Sequence, residues 1–468
     1  MTDWPSDAPE TEQDPAALHN DAHFLRAVSA LADGQDLVAG RAIYSEGGIK
    51  LLDEGMRMDR RLCERLMQHR LTAAWDEHLQ PQDAVDIRAL ETQVLVLSGA
   101  TVLGRELNEF MQGKQHLLLE VLRHMKWPPR ARFQMTLMRH HLPALFEHSV
   151  LMMMAAVCLA VEEKLSMDDC AEIAAAALLH DVGMLYMPPN WVDHSYRLNA
   201  QERKQLAAHS ITAMLVVRSM QTYSVRVEDA VLQHHERLDG SGYPRSAKGA
   251  EITPWGHILM LAEVVAAFFH KYNDIPAQRL SLMLRMNHNR FDARLSAHVH
   301  RFLALAASDM QAKGESTTPA EGSKAEVRQV IATLGAVYQY WGKSKRSFPA
   351  HWQTGTHGRA GLYVEARLQA LEKTLAESGS HPRQQADWLA MFEEDPASMA
   401  EVVMINKEAL WQLDSCVAAC MRRWPQLLTP QTAFEVAMCD WLSSCRRVLG
   451  YGDAEPEQGV PAGTEPAV

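Results

Sequence analysis

The chain has 468 residues, about three times the usual length of one domain, so two or three domains are expected. Hydrophobic residues make up 47% and charged residues 22%, which excludes a wholly disordered chain. The net charge of -12, from 46 basic and 58 acidic residues, argues against a DNA binder, which would carry a basic excess.

Residues 1–22 mix Pro, Asp, Glu and Ala without periodicity and read as a disordered leader with no signal-peptide pattern. Residues 23–80 read as a small β-containing module. Leu37-Val38-Ala39 and Ala42-Ile43-Tyr44 predict strands, Glu46-Gly47-Gly48 a turn, and Ile49-Lys50-Leu51-Leu52 a further strand. Leu62, Leu66 and Met67 then mark a short amphipathic helix. Residues 81–131 are expected to be connecting helices, with one long helix from Val94 to residue 126 stopped by Trp127-Pro128-Pro129.

From residue 132 to 308 the pattern is helical with clear start signals. Ser166 with Asp169 begins a helix running to about His180. Asn199 with Glu202 forms a capping-box pattern for the helix carrying His209, and Thr253-Pro254 starts another. The longest apolar run, Val150 to Val161, has twelve residues, so no membrane span is expected. Residues 309–325 read as a polar linker, 326–449 as a separate helical region of unknown role, and 450–468 as a disordered tail. In the C-terminal region Trp341, Trp352, Trp388, Trp411, Trp424 and Trp441 read as core. Cys416 and Cys420 share a helix face but lack nearby histidines, and read as buried thiols. Lys343-Ser-Lys-Arg346 reads as a solvated loop. Seven cysteines without regular spacing point to a reducing compartment and a cytoplasmic protein.

Of the 22 histidines, 13 fall between His140 and His300. His180-Asp181 follows the apolar run Ala174–Leu179, and His234-His235 follows Ala230-Val231-Leu232. A doublet at a helix end can serve two neighbouring metal ions, and a carboxylate can bridge them. Glu263 is the sole acid in the stretch Ile258–Phe269, where an ionised carboxylate is costly unless paired or metal-bound. A single buried histidine is usually a hydrogen-bonded core residue, and a lone glutamate usually pairs with Arg or Lys. His148, His180, Asp181, His209, His234, His235 and Glu263 together make a metal site a serious alternative.

The string His234-His235-Glu236-Arg237-Leu238-Asp239-Gly240-Ser241-Gly242-Tyr243-Pro244 resembles the HHExxDGxGYP signature of the HD-GYP family. The resemblance extends to His148, His180-Asp181-Val182-Gly183, His209 and Asn289-Arg290-Phe291-Asp292, and so covers roughly 132–308. Leu37–Leu66 resembles, more weakly, a small module that often precedes this domain. The resemblance implies a mainly α fold: an HD-type helical bundle, a small N-terminal β-containing module and a separate C-terminal helical region. It implies two divalent metal ions, iron or manganese, and hydrolysis of cyclic di-GMP in bacterial second-messenger signalling. Carried over by position, His148, His180, Asp181 and Glu263 hold one metal, and Asp181, His209, His234 and His235 the other. His180 and Asp181 take the catalytic role, and Arg237, Asp239, Gly240, Gly242, Tyr243 and Pro244 the substrate contacts. Cyclic di-GMP or a related cyclic dinucleotide is the implied ligand. Diguanylate cyclase-type proteins and a second copy of the chain are candidate partners.

The chain departs from the family pattern at substrate-facing positions. Met184 stands where HDxGK has lysine, Glu263 where ADVFDA has its first aspartate, and Ala266 where it has the second. His257 replaces an arginine, Ser210 a proline and Ala144 a glutamate of trinuclear members, and the RPYR element is replaced around Tyr272-Asn273-Asp274. Three readings follow: a phosphodiesterase with an altered pocket, a receptor or interaction module that no longer turns over, and a hydrolase of another phosphoester or cyclic dinucleotide.

Overall fold

The computed structural model describes residues 21–34, 37–71, 74–193, 196, 198–272, 275–312, 324–353, 358–377, 381 and 396–450. Most of the expected leader, linker and tail, together with His194, Asn273, Asp274 and Trp388, lies outside the described residues. The chain divides into two units. One comprises residues up to Lys271 together with His288–Ala306, and the other comprises Tyr272–Asn287 and residues from Ala307.

The first unit opens with helix α1 (Ala22–Gly34), which the sequence reading did not mark. Strand β1 (Leu37–Ala39) follows, with Leu37 and Ala39 buried and Val38 turned the other way. It pairs antiparallel with both β4 (Arg57–Met58) and β5 (Leu79–Pro81), matching Leu37 to Met58 and to Pro81. The hairpin β2 (Ile43–Tyr44) and β3 (Lys50–Leu52) turns through Gly48, whose φ of 76° suits glycine. β4 has only two residues and β5 ends in Pro81, which disfavours a strand, and the sequence reading missed both. Helices α2 (Arg60–Leu66) and α3 (Trp75–His78) complete the module.

The single helix expected from Val94 to residue 126 is three: α4 (Ile87–Ala100), α5 (Val102–Phe110) and α6 (Gln115–His124). Thr101 is extended, and its hydroxyl accepts from the Gly104 N–H, so it starts a new helix where periodicity alone runs on. The bundle proper is α7 (Pro129–His141), α8 (Pro143–Glu162), α9 (Met167–Leu179), α10 (Ala200–Leu206), α11 (His209–Ser219), α12 (Val225–Gln233) and α13 (Pro254–Lys271). Helix α8 packs against α9 and α13, which is why it is apolar on all sides. At 20 residues it is longer than the apolar run inside it, and by length and composition it matches a membrane span; 72% of that window is buried among its neighbours. Ser166 caps α9 by accepting from Asp169 N–H, and Asn199 with Glu202 forms the capping box of α10. The capped helix ends at Leu206, however, and His209 begins the next one.

The second unit contains α14 (Pro276–Met286), α16 (Lys324–Arg346), α17 (Arg359–Glu377), α18 (Pro396–Arg423) and α19 (Ala433–Val448). Between α14 and α16 in the chain runs α15 (Ala293–Ala312), which begins in the first unit. Leu282 and Met286 of α14 pack with Leu334, Trp341, Val364, Leu413 and Trp441. Tyr272–Asn287 therefore belongs to this core rather than to the 132–308 segment in which it was expected. An amphipathic helix shows that it has a partner, not which one. Cys416, Cys420 and Cys445 are buried here, and burial pushes the Cys416 thiol up to about 12. Lys343, Lys345 and Arg346 form the last turn of α16 rather than a loop, where cations suit the helix C-terminus, and Lys345 pairs with Glu365.

Gly183 allows a close approach between the segment after His180 and α11. A Cβ there would stand 2.1 Å from the His209 carbonyl oxygen. Gly183→Ala is expected to destabilise the fold by about 1–3 kcal/mol through overpacking, read from urea unfolding.

Candidate metal centre

Three histidines follow helix ends, and each bonds a carbonyl three residues back. The last carbonyls of an α-helix have no partner within it. His180 directly follows α9 and donates Nδ1–H to the Ala177 carbonyl at 2.7 Å. His234 directly follows α12 and donates to Val231 at 2.6 Å. His209, just beyond α10, donates to Leu206 at 2.7 Å. A carbonyl only accepts, so each ring carries a proton on Nδ1, and Nε2 is the nitrogen left to offer a lone pair when the ring is neutral. That tautomer is the one a metal needs.

The presented nitrogens converge on two carboxylates. Asp181 Oδ2 lies 3.2 Å from His180 Nε2, while its Oδ1 lies 3.2 Å from His209 Nε2 and 3.7 Å from His234 Nε2. Glu263 Oε2 lies 2.8 Å from His148 Nε2 and 3.5 Å from His180 Nε2. The donors fall into two groups, Asp181 with His209, His234 and His235, and His148 with His180 and Glu263. Within each group the donor atoms lie within 4.8 Å of one another. Asp181 faces both groups with separate oxygens.

The donor set fits cations. His180 Nε2 and Asp181 Oδ1 are buried without a hydrogen-bond partner. His209 and His234 turn their Nε2 atoms toward each other at 3.3 Å although both rings keep their protons on Nδ1. Burial pushes the Asp181 carboxyl up, but His180 and His209 outweigh it and hold it well below the usual carboxylate range. Burial likewise opposes ionisation of Glu263, and His148 and His180 prevail. Burial, with neighbouring His180 and His209, pushes His234 down to about 3, and burial holds His235 well below its ordinary value. Both rings are therefore neutral near pH 7.

The string after His235 forms a tight loop around that ring. Tyr243 lies against His235 with ring centroids 4.6 Å apart, and its N–H donates to the His235 carbonyl at 3.1 Å. A Cβ on Gly242 would stand 2.4 Å from the same carbonyl oxygen, so only glycine allows this return. Gly240 has a φ of 74° and packs on the Lys248 side chain, and Pro244 follows a cis peptide bond. Asp239 accepts from Ser241 N–H at 2.9 Å with Arg290 3.7 Å away. Arg237 is buried, donates to the Glu236 carbonyl at 2.6 Å and leaves Nη2 without a hydrogen-bond partner. Of the six expected substrate contacts, Tyr243 reaches the histidine cluster, whereas Asp239 and Arg237 are engaged in holding the loop.

Sequence reasoning passed over Glu236. It is buried, and its two oxygens accept from Arg245 N–H at 2.7 Å and Ala247 N–H at 2.9 Å, closing the loop. A charged residue amid the signature string was the available signal. Met184 and Ala266 are buried, Ser210 is buried within α11, and His257 stands 3.8 Å from Asp292.

The HD domain family model matches residues 132–295. A 3'3'-cGAMP-specific phosphodiesterase of Vibrio cholerae is 35% identical over 124 residues, 26% of this chain and 28% of the relative. A cyclic di-GMP phosphodiesterase of Pseudomonas aeruginosa is 29% identical over 124 residues, 26% of this chain and 29% of the relative. One from Thermotoga maritima is 30% identical over 106 residues, 22% of this chain and 29% of the relative. Over residues 132–295 the chain resembles the HD domain family, and its intact GYP string is similar to the HD-GYP members of that family. It spans less than a third of the length of these curated relatives. The HD-GYP bundle, the β-containing module and the C-terminal helical unit make up the mainly α fold expected from sequence.

His180 gives the centre a pH signature. Burial lowers its pKa, but Asp181 and Glu263 outweigh burial and raise it to about 9 from an ordinary 6.5. In the metal-free protein the protonated ring therefore stabilises the fold fully below pH 6.5, and this is lost as pH rises through about 9. Cation binding through Nε2 needs the neutral ring, so loading at pH 7 expels about one proton. Mn2+ calorimetry in buffers of different ionisation enthalpy is expected to show this release at pH 7 and its disappearance well above pH 9. Heats that do not vary with buffer at pH 7 would count against the assignment.

Proposed function

We propose that the HD-GYP domain holds two divalent cations, iron or manganese, and hydrolyses a phosphodiester bond of a cyclic dinucleotide. The carrying observation is Asp181 facing two donor groups with separate oxygens. The printed activities of the relatives, on cyclic di-GMP and on 3'3'-cGAMP, support the substrate class. Two cations, when bound, supply charge stabilisation at the phosphodiester and activation of water.

The chain's own residues provide the rest. Asp181 sets the spacing between the two groups, and His180, His209 and His234 arrive with their tautomers fixed. Four positive charges against Asp181 and Glu263 leave two, which matches the two phosphodiester charges of a cyclic dinucleotide. Tyr243 backs His235 and offers a ring face for base stacking. Gly240, Gly242 and Pro244 shape this loop, and Asp239 and Arg237 act by holding it.

A second reading rests on Met184 and Ala266. Both are buried and uncharged at positions where the family pattern has lysine and aspartate. Without that cation near the scissile phosphate, a binding module that does not turn over becomes the competing function. The purified chain, loaded with Mn2+ or Fe2+ anaerobically, is expected to convert cyclic di-GMP or 3'3'-cGAMP to linear or mononucleotide product. Asp181→Asn, which weakens the bridge, is expected to lower the rate at least 100-fold and reduce metal content measured by elemental analysis. Tight nucleotide binding without product in any metal state would establish the binding module instead.

A further inference from the structure

A second buried polar cluster lies within the first unit, between the N-terminal module and the ligand-bearing helices. Its centre is Asp76 of α3, 3% exposed. A buried carboxylate is costly unless paired, and Asp76 is paired in two directions. Its Oδ2 accepts from Gln134 Nε2 at 2.9 Å, and the same amide donates to the Tyr186 hydroxyl at 3.2 Å. The Tyr186 ring stacks on Phe24 of α1, with centroids 4.8 Å apart and planes within 2°. Tyr186 ends the short 3-10 helix Val182–Tyr186, which Asp181 begins, and Met184 N–H donates to the Asp181 carbonyl.

In the other direction, Asp76 Oδ1 lies 3.1 Å from Arg130 Nε. Arg130 also pairs with Glu77 at 3.4 Å and donates to the Ser219 carbonyl at 2.6 Å and to its hydroxyl at 3.0 Å. Ser219 is the last residue of α11, the helix that His209 begins. One carboxylate of the N-terminal module thus reaches the far ends of both segments that carry Asp181 and His209. The 3-10 helix spans the five residues Val182–Tyr186 directly after Asp181, and α11 spans eleven from His209 to Ser219.

We propose that Asp76 is a positioning residue through which the N-terminal module sets the placement of the Asp181 and His209 donors, so that loosening the module weakens cation binding. This rests on reading the centre as a metal site. The test uses the full chain as wild type, Asp76→Asn, Tyr186→Phe and the double variant. Tyr186→Phe keeps the stack on Phe24 and removes only the hydroxyl, so it remains decisive if Asp76→Asn does not fold. Both singles are expected to speed metal-free hydrogen exchange over residues 182–187 and 209–219, and to bind Mn2+ about three- to tenfold more weakly by calorimetry. The double variant is expected to be no weaker than the worse single, as for two links of one chain. Variants that match a Mn2+-binding wild type in affinity overturn the role of Asp76 alone, even if they melt lower, because a purely structural role moves the melt and not the affinity. A wild type that takes up no Mn2+ overturns the reading of the centre and this proposal with it.

Discussion

The structure depends on an exchange made where helices stop. An α-helix leaves its last carbonyls unpaired, and most proteins answer them with water, glycine-based caps or basic side chains. Here α9, α10 and α12 are each answered by an imidazole N–H three residues on. The bond completes the helix end and at the same time fixes which nitrogen of the ring is bare. A lysine would satisfy the same carbonyl but offer no lone pair. Because the bonded carbonyl belongs to a rigid helix, the direction of Nε2 is inherited from the bundle packing rather than from a loop. That is why three separate helix ends can aim donors at one small volume.

Convergence has an electrostatic cost that the carboxylates meet. Five imidazoles alone, four of them buried, could bind a cation but would leave it uncompensated. Asp181 and Glu263 remain ionised against desolvation because His180, His209 and His148 face them. Glu263 occupies an otherwise apolar face of α13, so its ionised form exists only by virtue of these partners. His235 is held differently. Its Nδ1 is buried without a hydrogen-bond partner, and its ring is placed by the Tyr243 ring packed against it. The loop that delivers Tyr243 is closed by Glu236 and admitted by Gly242. The long string after His235 is then physically a clamp for one ring that lacks a helix-end carbonyl.

What the amino-acid order reveals follows from the range of each interaction. Ser166, Asn199 with Glu202, and Thr253-Pro254 act within a turn of themselves, and each helix begins where they predict. The strands Leu37–Ala39 and Lys50–Leu52 were legible because alternation and a glycine turn are local. Of the candidate donors, His180-Asp181 and His234-His235 were legible because they end apolar runs, and Glu263 because it is the sole acid inside one. The break at Thr101 was not legible, since threonine suits a helix interior and a cap alike. Nor was the membership of Tyr272–Asn287 in the second core, because an apolar stripe does not name its partner. The cluster of Asp76, Gln134 and Tyr186 was invisible for a stronger reason. Its members lie more than fifty residues apart, and each has the composition of an ordinary surface or core position.

Met184 links that hidden cluster to the chemistry proposed for the centre. It lies in the same 3-10 helix as Tyr186, and that helix is covered by α1 through Phe24. A lysine at 184 would give the centre a protein-borne cation whether or not metal is present. With methionine there, the 3-10 helix carries no cation, and Arg237 and Arg290 beside the HD-GYP loop donate hydrogen bonds within it. On the proposed reading, attraction for an anionic dinucleotide then rests on the cations that the donors take up. Metal occupancy and nucleotide affinity become one linked quantity, since each ligand lowers the charge cost of the other. Any device that shifts the donors, the N-terminal module included, therefore acts on nucleotide binding without touching the nucleotide.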